Sequence, residues 1–155
     1  MSLYLLAVLI GVVCGLRAMT GPAVISWAAY LGVLPVQGTW LEFLSYTASP
    51  YILTLLAAME LVTDQLPNTP SRKVPKQFVT RILTAAVCGA ALVGTHGPLV
   101  GGLAAGIVGA FIGTLGGYEA RARLVKANGG HDRPVAIVED LIAIGGAIAI
   151  VALAP

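Results

Sequence analysis

The strongest constraint on this chain is the length of its apolar runs, which leave it few places to meet water. Ser2 to Leu16, Pro50 to Val62, Val79 to Gly94, Pro98 to Gly117 and Val135 to Leu153 are almost free of charge. A helix needs about 20 apolar residues to cross a bilayer, fewer where the bilayer thins. Only 10% of the 155 residues are charged and 57% are hydrophobic, whereas a water-soluble domain carries roughly a quarter charged residues. Its polar side chains are too few to cover a globule in water. The expected fold is therefore an all-α membrane protein, a single transmembrane domain over residues 1–155 built as a bundle of about six short helices.

The same count excludes other classes. High apolarity rules out a disordered chain, and nine basic residues are spread too thinly for the stripe that nucleic acid requires. Cys14 and Cys88 each sit inside an apolar run, so they read as small buried hydrophobes rather than a disulfide or metal framework. There is no G-x-S-x-G, P-loop, H-E-x-x-H or Cys/His ligand spacing, and His96 and His131 stand alone. No enzyme, metal site or cofactor is expected.

Ala23 to Leu34 is harder to place, being apolar but short and fenced by Gly21-Pro22 and Pro35. It is either a short span continuing through Trp40 to Leu44 or a re-entrant half-helix. The bases arbitrate, because cytoplasmic loops hold an excess of Lys and Arg. With six spans and both termini outside, Arg17, Arg72, Lys73, Lys76, Arg81, Arg121, Arg123, Lys126 and Arg133 all fall at cytoplasmic ends. Five spans would strand Arg17 near the outer face, a costly place for a charge. Met1 to Gly15 lacks a positive leader before its apolar core, so a retained anchor is expected rather than a cleaved signal peptide.

Gly21-Pro22-Ala23-Val24 returns as Gly97-Pro98-Leu99-Val100, which suggests halves at 1–74 and 77–155. Three spans in each half force the second half to be inverted, and inverted repeats with Gly/Pro-broken helices are a pattern of secondary transporters. A second match, Leu61-Val62-x-Asp64 with Ile137-Val138-x-Asp140, falls at opposite ends of its spans and reads as chance. Gly102 with Gly106, Gly109 with Gly113, and Gly113 with Gly117 are small-xxx-small pairs, as is Gly11 with Gly15. Such spacing lets a neighbouring backbone approach closely. Tight packing within the bundle is the simplest reading, and a homodimer or higher homo-oligomer is a further expectation for so small a membrane protein.

The ionisable residues carry the functional signal. Glu60 and Asp64 are four residues apart and share a helical face. Glu139 and Asp140 lie one to two turns into the last span, and Arg17 stands at the break between the first two apolar runs. Charge at membrane depth marks ion pathways, proton relays or buried pairs. The expected constellation is Arg17, Glu60, Asp64, Glu139 and Asp140, with crowded carboxylates able to bind a cation or shuttle protons. The plain alternative is that these groups cap helices and pair with loop bases at the interface. Ser71, Arg72, Lys73 and Lys76, in a proline-rich loop, could hold an anion or lipid head group, although a positive-inside anchor explains the same letters. Glu119 and Arg123 form an i,i+4 pair of structural character.

The motifs Gly15-Leu-Arg17-Ala-Met-Thr20-x-Pro22, Glu60-Leu-Val-Thr-Asp64-x-Leu-Pro67-x-Thr69-Pro70-Ser71-Arg72, Gly113-x-Leu-Gly-Gly-Tyr118-Glu119-x-Arg121 and Val138-Glu139-Asp140-x-Ile-Ala-Ile run through nearly the whole chain. In these the chain resembles a family of small bacterial integral membrane proteins catalogued only as a domain of unknown function. The resemblance implies a bacterial inner membrane and supplies no activity. Two functions remain open. One is a small transporter or channel whose carboxylates couple or gate. The other is a non-transporting protein that binds lipid head groups or a partner through basic loops and glycine faces.

Overall fold

The computed structural model describes residues 2–66, 74–94 and 96–155. Among these the chain forms helices α1 (Leu3–Leu16), α2 (Thr20–Tyr30), α3 (Ala48–Thr63), α4 (Pro75–Val93), α5 (Leu99–Ala127) and α6 (Asp132–Ala152). A 3-10 turn, Glu42–Ser45, precedes α3, and no strand occurs among the described residues. Ser71, Arg72 and Lys73 lie outside the described residues. Of the expected anion-binding group only Lys76 is placed, exposed in the first turn of α4.

Helices α4, α5 and α6 are long and apolar enough to cross a membrane, and α1 and α3 are apolar but shorter. The 14 residues of α1 reach only about 21 Å at 1.5 Å per residue, against a hydrocarbon core of about 30 Å. Large apolar side chains point outward along the bundle, among them Leu55, Val62, Val100 and Leu141, as expected where the solvent is lipid. The protein is an integral membrane protein.

The tightest packing lies between α1, α4 and α5, and small residues make it possible. A Cβ on Gly106 would collide with the Ala85 carbonyl of α4, and one on Gly102 with the backbone of Gly89 and Ala90. On the other side of α5, Gly109 and Gly113 abut the backbone of α1 at Val8 and Val12, while Gly11 meets Gly106. Helix α5 thus presents a continuous glycine ridge to two neighbours, where van der Waals contact replaces the missing hydrophobic drive. Gly116 meets nothing within 4 Å, and Gly117 is half-buried. Cys14 and Cys88 are free and buried, and both sulfurs lie beside Gly21.

The contacts also give direction. Tyr4 lies beside Gly101 and Gly15 beside Thr114, so α1 and α5 run parallel. Arg81, early in α4, reaches the last carbonyls of α1, and Asp140, early in α6, reaches Arg17. The ends of α1, α3 and α5 and the starts of α2, α4 and α6 therefore gather at one end of the bundle.

The stretch from Ala23 to Leu34 is helical only to Tyr30, and the chain then turns at Gly32, whose φ is 78°. Instead of extending the helix, the loop tucks Leu34, Val36, Leu41 and Leu44 into the core. Ser26 Oγ donates to the Leu44 carbonyl at 2.6 Å and closes the loop onto α2. Helix α3 is peripheral, with only Pro50 buried. It packs on α2 and the 3-10 turn, partly through Trp27, whose Nε1 donates to Thr54 Oγ1 at 2.9 Å and whose ring meets Tyr51 edge-on.

The glycine ridge makes a direct prediction. Gly109→Val should destabilise the protein by about 1–3 kcal/mol through overpacking, whereas Gly116→Ala should be neutral or raise stability by about 0.5–1 kcal/mol. Thermal unfolding in detergent, followed by circular dichroism, checks both.

Candidate functional site

The break between α1 and α2, residues 17–19, is the natural place to look for chemistry, because two helix ends leave backbone groups unpaired there. Side chains from other helices satisfy them. Arg81, 2% exposed, donates from Nη1 to the Gly15 carbonyl and to the Leu16 carbonyl, the latter at 2.7 Å. Thr114 Oγ1 also donates to the Gly15 carbonyl, at 3.2 Å. A cation therefore sits at the negative end of the α1 dipole. At the start of α2 the signs reverse: Glu60 accepts from the Ala18 N–H at 2.7 Å and from the Met19 N–H at 2.8 Å. A carboxylate at the positive end of a helix is favourable for the same reason.

Arg17 itself, in the gap, is wholly buried. Its Nη1 donates to Asp64 Oδ2, and its Nη2 lies 2.5 Å from Asp140 Oδ1 in an ion pair without hydrogen-bond angles. Asp64 comes from the end of α3 and Asp140 from α6, so one guanidinium ties two helices to the break. The two carboxylate side chains are only 12% and 11% exposed. One positive charge against two negative ones leaves the trio with an excess negative charge. Among the described residues, Arg17 Nε and Nη2, Thr20 Oγ1 and Asp140 Oδ1 have no hydrogen-bond partner, an incompletely satisfied polar network at the centre of the break.

The structure brings Arg17, Glu60, Asp64 and Asp140 together. Glu139 goes elsewhere. Its neighbour in sequence turns toward Arg17, while Glu139 lies 3.2 Å from Arg121 Nη1. Arg121 also grips Asp132 through Nε and Nη2, at 2.8 and 2.7 Å. Glu139 thus belongs to a clamp between α5 and the start of α6. Asp64 and Asp140 share the Arg17 guanidinium, while Glu60 faces backbone amides. Sequence reasoning missed Arg81 as part of the site. Its signal was an arginine inside the apolar run Val79 to Gly94, which was assigned to loop charge instead.

Beside the break a cavity of about 480 Å³ opens between α3 and α4. Ala18 and Met19 line it at the break; Glu60 and Asp64 reach it from α3, and Lys76 and Arg81 from α4. Its acidic wall belongs to one helix and its basic wall to the other. Among the described residues no group of three or more His, Cys, Asp or Glu is placed to hold a metal ion.

The family model described as domain of unknown function (DUF4126) matches residues 4–155. No curated protein and no solved structure matches the chain.

The trio makes a stability prediction. Arg17→Met should cost about 3–5 kcal/mol, because it leaves two buried carboxylates unpaired. The triple variant Arg17→Met, Asp64→Asn, Asp140→Asn should recover most of that loss. Unfolding midpoints of the variants in detergent decide it, and equal destabilisation by the single and triple changes would contradict the pairing.

Proposed function

We propose that this chain, which belongs to the DUF4126 family, is a small transporter or channel for an ion or small solute, with the Arg17 trio as its inner gate. One observation carries the reading: an open cleft between two helices reaches the half-buried carboxylates Glu60 and Asp64. Intramembrane charges that line a cavity are typical of ion and proton pathways. The moving part is α3. It buries almost nothing of its own, and its cytoplasmic end is held by Glu60 on the Ala18 and Met19 amides and by Asp64 on Arg17. Protonation or cation binding at Asp64 weakens that hold, while Asp140 keeps Arg17 neutralised from the static side.

In this reading all six helices cross a bacterial inner membrane with both termini outside. The positive-inside rule orients it, since Arg17, Lys76, Arg81, Arg121 and Arg123 gather at the end where α1, α3 and α5 finish. Helices α1–α3 and α4–α6 are the inverted halves, with Gly21-Pro22 in the first turn of α2 and Gly97-Pro98 just ahead of α5. The competing reading, docking of a partner on a glycine face, is disfavoured because Gly102, Gly106, Gly109 and Gly113 are already covered by α1 and α4. Association of two copies would therefore use lipid-facing side chains.

Proteoliposomes energised by a potassium diffusion potential and loaded with a pH dye, then with a panel of small solutes, test the proposal. Wild type should show flux above empty vesicles. Asp64→Asn should change that flux about tenfold, the effect of roughly 1.4 kcal/mol on a limiting barrier, and Glu139→Gln should leave most of it. Flux that is absent, or insensitive to Asp64, contradicts the gate.

A further inference from the structure

The cavity between α3 and α4 also constrains what enters it, if the transport reading is taken as the starting point. A volume of about 480 Å³ falls in the range of organic ligand sites, roughly 300–1,000 Å³, and is far larger than a bare ion needs. Met19, Leu56, Met59 and Val74 supply apolar lining that cannot replace an ion's hydration shell. Among the described residues, the four charges in the lining are divided by wall, Glu60 and Asp64 on α3 against Lys76 and Arg81 on α4.

Two of the four are already engaged by the fold. Glu60 holds the amides of Ala18 and Met19, and Arg81 holds the carbonyls that end α1. The remaining charges are Asp64, which gives one oxygen to Arg17, and Lys76, which is exposed and has no ion pair among the described residues. A simple cation would be repelled by the α4 wall and a simple anion by the α3 wall. We infer that the cavity binds an amphipathic organic zwitterion. Its ammonium group lies toward Asp64, its acid group toward Lys76, and its apolar part against Leu56 and Met59. A phospholipid with an amine head group and a free amino acid with an apolar side chain share this chemistry.

Native mass spectrometry of the delipidated full-length protein in mild detergent tests the inference with phosphatidylethanolamine, phosphatidylglycerol of the same acyl chains, and L-leucine. Retention of phosphatidylethanolamine over phosphatidylglycerol, weakened about tenfold by Lys76→Ala as for loss of a charged hydrogen bond, identifies a lipid zwitterion. Leucine binding with the same sensitivity, and no preference between the lipids, identifies a free one. Lys76 is exposed and unpaired among the described residues, so its replacement leaves the fold intact; Arg123→Ala, in an exposed pair outside the cavity lining, serves as a control and should change nothing. The inference is overturned if no zwitterion is retained, if phosphatidylglycerol binds as well as phosphatidylethanolamine while leucine does not bind, or if Lys76→Ala has no effect. Binding is read without transport. A zwitterion retained by a protein that shows no flux would remove the transport reading alone, and flux without zwitterion binding would remove this inference alone.

Discussion

A buried guanidinium fixes the arrangement of this bundle. Arg17 is completely excluded from solvent, and such a charge is tolerated at membrane depth only with partners at hand. Its partners come from α3 and α6, which have few other reasons to meet at this point. The same short gap ends α1 and starts α2, so it also exposes carbonyls and amides that need capping. Arg81 and Glu60 supply the two caps with the signs that the helix dipoles favour. Five charged side chains, Arg17 from the gap itself, Glu60 and Asp64 from α3, Arg81 from α4 and Asp140 from α6, thus converge on three residues of irregular backbone. The backbone groups freed at this turn are paired by protein rather than left to lipid.

The two sides of the molecule are built by different physics. On one side, α1, α4 and α5 approach backbone to backbone over glycine and alanine, a contact with little room to rearrange. On the other, α3 touches the rest through aromatic contacts near one end and charged contacts at the other. Charged contacts have competing partners, so they can be exchanged where close packing cannot. The cavity lies on this second side. A rigid body and a peripheral helix held at its two ends thus flank a largely apolar cleft with charged groups at its margin.

Much of this fold was legible from local pattern. The apolar runs predicted the helices to within a few residues, with α1 expected from Ser2 to Leu16 and found from Leu3 to Leu16. The amphipathic continuation of α5 through Arg121 to Lys126 was also visible. Glu60 and Asp64 could be placed on one face because four residues make about one helical turn, and both do face the break. Glu139 and Asp140 were expected in one constellation, but adjacent residues in a helix are about 100° apart, and they separate toward Arg121 and Arg17. Arg81 was misread for a different reason: loop-charge counting assigns a base to a side of the membrane and says nothing about the carbonyls it meets. Cys14 and Cys88 each looked isolated, since their common place beside Gly21 depends on α1 lying against α4.

The sequence by itself determined the solvent of this protein, the positions of its helices and the identity of its scarce charges, because hydropathy and helical period are properties of neighbours along the chain. Tertiary structure decided what those charges do. It assigned Asp64 and Asp140 to Arg17, removed Glu139 to a separate clamp, turned Glu60 and Arg81 into caps, and opened a cavity with walls of opposite sign. Each of these depends on the rotation and stagger of one helix against another. In this bundle the fit of small residues between α1, α4 and α5 and the need to neutralise a buried arginine set that geometry, and neither can be read from any single segment.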